Sequence, residues 1–187
     1  MCSGRCSRFI AGFLYPLVLI SMICNVLLFF PGWKAEYALE RRLTPEVLYM
    51  GGLVGGGLAV LVPALFIHLT GNHGCCANRC GMFLSIGFSV IGVAGALYSF
   101  IVAILGLNLG PYCRNAFFLW GRPFQDSSEM YLTNLDQWTI CKEPENVVAF
   151  NVGLFSTLLL VSCLELVLCF CQMLNGLVGC ICGTQTQ

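Results

Sequence analysis

The run VVAFNVGLFSTLLLVSCLELVLCF (Val147–Phe170) holds one carboxylate, Glu165, in otherwise apolar sequence. A helix needs about 20 residues to cross a ~30 Å hydrocarbon core, and this run is longer than that. Three others match it: Phe9–Phe30, Val47–Leu69 and Met82–Leu107. Backbone crossing lipid must satisfy its own hydrogen bonds, so each run is expected to be a helix. A β-barrel would alternate apolar and polar residues, and these runs do not. The first run is too long for a signal-peptide core and ends in FFPGWK, with no small-residue cleavage site, so it counts as a span. Composition agrees, with 58% of residues hydrophobic and 10% charged, against about 25% charged in soluble domains. Nine basic and nine acidic residues cancel, leaving no basic field for nucleic acid. The expected fold is an all-α membrane protein, a left-handed four-helix transmembrane bundle.

The 187 residues form one such unit, with spans 9–30, 47–69, 82–107 and 147–170. A short loop, 31–46, and a larger one, 108–146, lie on one side. Loop 70–81 and the termini, 1–8 and 171–187, lie on the other. Thr44, Pro45 and Glu46 supply an N-cap, a first-turn proline and a first-turn acid to the second span. Basic residues in loops favour the cytosol. Arg5, Arg8 and Arg79 stand on the terminal side against Lys34, Arg41, Arg42, Arg114, Arg122 and Lys142 on the other. Taken literally, that count puts the termini outside. The second set is mixed with acids, however, and half of it sits in the long loop, where the rule is weak.

The thirteen cysteines discriminate better. Cys2, Cys6, Cys75, Cys76, Cys80, Cys180 and Cys182 cluster at membrane ends on the terminal side, while Cys113 and Cys141 bracket the long loop. Unpaired juxtamembrane thiols suit a reducing cytosol and S-acylation, and a single pair suits an oxidising exterior. The termini and loop 70–81 are therefore expected to be cytoplasmic, and loops 31–46 and 108–146 extracellular. A Cys113–Cys141 disulfide would contribute roughly 3–4 kcal/mol by loop-entropy arithmetic to a segment expected to lack its own core. Phe117, Phe118, Trp120, Phe124, Tyr131 and Trp138 of that loop either pack it onto the bundle or membrane surface, or offer a partner surface.

Small residues mark where membrane helices approach. Ser85, Ser89, Gly92, Ala96, Ser99, Ala103 and Gly106 repeat at heptad spacing along the third span. Gly51/Gly55 and Gly52/Gly56 stand in small-xxx-small register in the second. Its glycine-rich segment lacks the Gly-Lys-Ser/Thr ending of a phosphate loop. In the fourth span Asn151, Phe155, Leu158, Ser162, Glu165, Cys169 and Gln172 share a face that should point inward. A line from Ser7 through Ala11, Leu14, Val18, Ser21 and Asn25 to Leu28 does the same in the first span. Counting about 1.5 Å per residue from the span ends puts Asn25 level with Asn151 and Glu165 far deeper, out of reach of Asn25. The expected partners of Glu165 are then Tyr15, Ser85, Ser89 or backbone freed by Pro63.

Several segments, in order along essentially the whole chain, resemble the transmembrane-4 L-six family. They are MCSGRC at the start, NVLLFFPG ending the first span, GGLVGGGL in the second and GLNLGPYC after the third. NVVAFNVGLFS opens the fourth, and NGLVGCICG lies near the end. The family is similar to tetraspanins in topology, but the larger loop here lacks their Cys-Cys-Gly motif. The first loop likewise lacks the cysteine pair of claudins. Two departures stand out: the segment GNHGCCANRC is shorter than in relatives, and Gly153 breaks the glycosylation pattern that often follows Asn151. The resemblance implies cytoplasmic termini in plasma or endosomal/lysosomal membranes. It also implies a non-enzymatic role organising integrins, growth-factor receptors and tetraspanins to influence adhesion, migration and proliferation.

Catalysis finds little support. No nucleophile–base set or carboxylate pair assembles, so no catalytic residue, cofactor or metal is assigned. His68 and His73 near Cys75, Cys76 and Cys80 lack the paired Cys-x2-Cys spacing of a zinc site. A channel or transporter has only Glu165 as a pathway charge and ranks below the alternative of intramembrane lipid or sterol binding, with a neutral Glu165 meeting a lipid hydroxyl. Homo-oligomers are compatible with the pattern.

Overall fold

A computed structural model describes residues 3–71, 79–115, 118–125 and 131–182. Its backbone is a four-helix membrane bundle capped at one end by the two larger loops. The helices in order are α1 (Ser3–Leu28), α2 (Glu36–Leu39), α3 (Pro45–Leu48), α4 (Val60–Gly71), α5 (Arg79–Leu109) and α6 (Val147–Cys182). A two-stranded hairpin, β1 (Cys113–Arg114) with β2 (Trp120–Gly121), lies between α5 and α6. Four segments among the described residues are long and apolar enough to span: Cys6–Leu28, Pro45–Leu69, Phe83–Leu109 and Val147–Val178.

The fourth helix is longer than the run that announced it. α6 has 36 residues and rises about 54 Å at 1.5 Å per residue, well beyond a ~30 Å hydrocarbon core. Its first turn is not in the bundle at all. Val147 and Val148 pack with Cys113, Phe124 and Tyr131 in a core that belongs to the loops. The expectation of a coreless long loop is therefore corrected. The loop has a small core, borrowed in part from the start of α6.

The second span departs from the continuous helix expected over Val47–Leu69. α3 stops at Leu48, Met50 then turns into left-handed backbone (φ 49°), and Gly51–Ala59 follows as a π-helix before α4 begins. Glycine is a poor α-helix former, and this stretch is crowded by its neighbours. A Cβ built on Gly55 would stand 2.6 Å from the Gly95 carbonyl oxygen, and one on Gly51 2.8 Å from Val102. Side chains from other spans stabilise the irregular backbone. Asn25 Oδ1 accepts the Leu53 N–H at 3.0 Å, and Tyr98 Oη donates to the Tyr49 carbonyl at 2.8 Å.

Two buried clusters fill the bundle. Leu14, Val18, Val60, Ile67 and Ala96 lie in the half nearer the termini, and Leu28, Val47, Ala103, Phe155 and Leu158 in the half nearer the loops. Gly106 lets α5 close on α6, since a Cβ there would meet the Phe155 ring at 2.5 Å.

Candidate functional site

Two places concentrate polar chemistry: a ladder of buried side chains between the spans, and the head formed by residues 31–46 and 108–146.

The lowest rung of the ladder centres on Gln172. Its Nε2 donates to Ser7 Oγ (3.1 Å) and Ser85 Oγ (3.0 Å), while its Oε1 accepts from Ser7 (3.3 Å) and from Asn175 Nδ2 (3.4 Å). Asn175 Nδ2 also reaches Ser7 Oγ at 3.1 Å, so α1, α5 and α6 are joined by one amide cluster. Asn175 lies beyond Phe170, the expected end of the fourth span, in the part of α6 that continues to Cys182. Extending the heptad stripe past Gln172 would have kept it in the helix. Interhelical hydrogen bonds of this kind average about 0.6 kcal/mol, with a maximum near 1.7. Gln172→Leu is therefore expected to cost about 1–2 kcal/mol, read as a lowered melting midpoint in detergent.

Glu165 forms the middle rung, and its partner is not one of those expected. Ser21 Oγ donates to Glu165 Oε1 at 3.4 Å. Ser85 belongs to the Gln172 cluster, and Tyr15 lies against the His68 ring with centroids 5.9 Å apart. Ser89 Oγ is buried without a partner among the described residues. The depth count failed because it treated Val147 as the membrane boundary, whereas that residue sits in the head core. Leu158, not Asn151, is level with Asn25: a Cβ on Gly52 would be 2.6 Å from Leu158 Cδ2 and 2.9 Å from Asn25 Cβ. Asn25 accordingly does not stand level with Asn151 and instead accepts from the Leu53 backbone, while Asn151 lies two turns, about 10 Å, further out. Ser162 bonds its own helix at the Leu158 carbonyl and makes no cross-span tie among the described residues.

Gly56 makes room for the carboxyl. A Cβ there would stand 2.6 Å from Ser21 Oγ and 2.9 Å from Glu165 Oε2. Overfilling a packed site costs about 1–3 kcal/mol, so Gly56→Leu should lower the melting midpoint by that equivalent. Gly12, whose Cβ would meet nothing within 4 Å, provides the contrast: Gly12→Leu is expected to stay within about 0.5 kcal/mol. Equal effects at the two sites would contradict the packing account. Gly92, Ala96, Ser99 and Ala103 of the α5 stripe are buried between the helices.

Four contacts hold the head together and seat it on the bundle. Cys113 and Cys141 form a disulfide with Cα atoms 5.5 Å apart. Arg122 grips Glu46 of α3 with both prongs, Nη2–Oε2 at 2.6 Å and Nη1–Oε1 at 3.2 Å, the two side chains being 14% and 5% exposed. Tyr131 stacks on Phe124 and its Oη donates to the Leu107 carbonyl, an acceptor in the last turn of α5. Burial pushes the Tyr131 phenol up to about 12, which keeps it a donor across physiological pH. Arg42 of the short loop lies 4.5 Å over the Trp120 ring, joining the two loops. Within the long loop, Arg114 pairs with Glu143 at 3.1 Å, and the Asn134 side chain accepts from Asp136 N to start the turn carrying Trp138. Sequence reading treated Glu46 as a first-turn acid and missed Arg122. A basic residue within the loop and an acid at the helix start were the only signals.

The head also faces outward with apolar side chains. Leu39, Trp33 and Phe118 are 83%, 76% and 74% exposed, and Trp33 and Phe118 both hold left-handed backbone (φ 62° and 60°). Bulky residues rarely adopt that conformation.

Of the acylation candidates, Cys6 and Cys180 are half-buried free thiols. Cys80 and Cys182 lie within α5 and α6, and their side chains fall outside the described residues, as do Cys2, Cys75, Cys76, His73 and Phe117 altogether. Among the described residues no three His, Cys, Asp or Glu side chains gather to hold a metal ion.

A sequence model described as L6 membrane protein matches residues 1–186. Similar chains include transmembrane 4 L6 family member 4 of Mus musculus, 44% identical over 98% of this chain and 93% of that one. Member 5 of Bos taurus is 42% identical and member 1 of Homo sapiens 40%, each over 98% of this chain and 95% of its own. No solved structure matches the chain.

Proposed function

This chain belongs to the L6 membrane protein family, and we propose that it acts there as a non-enzymatic, tetraspanin-like scaffold. Its cargo is membrane receptors, with integrins, growth-factor receptors and tetraspanins as the partner classes, and its outcome is altered adhesion, migration and proliferation. The observation that supports this best is the head. It is closed by a disulfide and fixed to the start of the second span by a buried two-pronged ion pair, yet turns Trp33, Leu39 and Phe118 outward. Rigid, exposed aromatic and aliphatic side chains suit partner contact at low entropic cost. The relatives carry membrane-family names and not enzyme names, in keeping with a non-enzymatic role.

In this reading the head faces the cell exterior at the plasma membrane or inside endosomes and lysosomes. Acyl chains on Cys2, Cys6, Cys75, Cys76, Cys80, Cys180 and Cys182 hold the terminal end in ordered lipid. Replacing all seven with Ser should abolish acyl labelling and weaken partner co-isolation. Unchanged labelling would remove that part of the proposal.

Sterol or other lipid binding at Glu165 is the second reading, favoured by one fact: its Oε2 has no partner among the described residues. Against it, the carboxyl is fully buried between Ser21 and Gly56. A photoreactive sterol that labels the wild type but not Glu165→Ala would establish it.

A further inference from the structure

The strongest unexplained chemistry lies where the head meets the bundle. Thr44 and Asn151 are 4% and 6% exposed. Thr44 Oγ1 and Asn151 Oδ1 are both buried with no hydrogen-bond partner among the described residues. Leaving such groups unpaired costs roughly 1–3 kcal/mol each, so two at one place call for an explanation. Both residues line the same cavity of about 20 Å³, walled by Leu28, Val47, Pro111 and Phe150, with Arg42 beside it.

The chemistry of the cavity selects its occupant. Asn151 Oδ1 can only accept a hydrogen bond, so the group that satisfies it must carry a donor, which a bare anion lacks. A metal cation would need several oxygen ligands, and it would sit beside the Arg42 guanidinium. A lipid hydroxyl brings a carbon skeleton with it, whereas about 20 Å³ suits one water, which needs about 10–15 Å³ and two or more polar partners. We propose that the cavity binds one structural water molecule that donates to Asn151 Oδ1 and pairs with Thr44 Oγ1, linking the short loop to α6. The joint between head and bundle is then part wet: the Arg122–Glu46 pair fixes it on one side and an exchangeable water bridges it on the other. The water site stands independently of the scaffold reading.

Two measurements test it. An experimental map of the wild-type protein that resolves ordered water should show a peak within hydrogen-bond distance of both atoms. A map with no peak, or with Thr44 and Asn151 bonded directly to each other, overturns the proposal. In a thermal double-mutant cycle, Thr44→Val and Asn151→Leu should each lower the melting midpoint in detergent by about 2–6 °C. The double variant should fall no further than the worse single one, because both singles forfeit the same water. Additive losses, or two neutral single variants, overturn it.

Discussion

Replacing Arg122 with methionine is expected to produce the largest loss of stability of any single change in the head. It strands the Glu46 carboxylate, whose side chain is 5% exposed, without its two-pronged partner. Breaking one half of a buried pair costs about 3–5 kcal/mol, because the remaining charge stays desolvated. At about 2–4 °C per kcal/mol for a chain of this size, the melting midpoint in detergent should fall by roughly 6 °C or more. The same arithmetic makes a second expectation. Arg122→Met combined with Glu46→Leu should recover much of the loss, since an apolar pair removes the desolvation penalty along with the attraction. A double variant as damaged as Arg122→Met alone would show that the pair acts through geometry and not charge.

The second large effect is loss of the Cys113–Cys141 bond, which spans 28 positions. Chain-entropy arithmetic gives roughly 3–4 kcal/mol for a loop of that length. The cost is expected to be local. The disulfide, the Arg114–Glu143 pair and the Tyr131–Leu107 bond all hold the long loop, while the ladder between the spans contains no head residue. Cys113→Ser should therefore expose the head to proteolysis while the helical bundle stays intact. The observable is early cleavage within 108–146 with unchanged helical signal. Cleavage spread evenly over the chain would contradict the separation of head and bundle.

These expectations also show how far the sequence could be read. Four spans followed directly from run length and composition, because a bilayer leaves few alternatives to a helix of about 20 apolar residues. The polar face of α6 was equally legible, since a heptad stripe carries its own periodicity. Depth was not. Val147 and Val148 look like the start of a span but serve the head core, and that offset displaced every level counted from them, moving Glu165 from Tyr15 and Ser85 to Ser21. Apolar residues do not announce whether lipid or protein covers them. The π-helical turn at Gly51–Ala59 was hidden for a related reason. Glycines signalled close approach, while the backbone answer depends on Asn25 and Tyr98 from other helices. The Arg122–Glu46 pair was out of reach because its partners lie 76 positions apart, and no local pattern connects them.

The measurement that bears most directly on scaffolding is proximity labelling in living cells from an enzyme fused beside the head. Wild type should be compared with Cys113→Ser at matched surface level. The expected result is a defined set of membrane receptors around the wild type that contracts several-fold once the head is opened. An unchanged set around the Cys113→Ser protein would contradict the claim that the stapled head selects the partners.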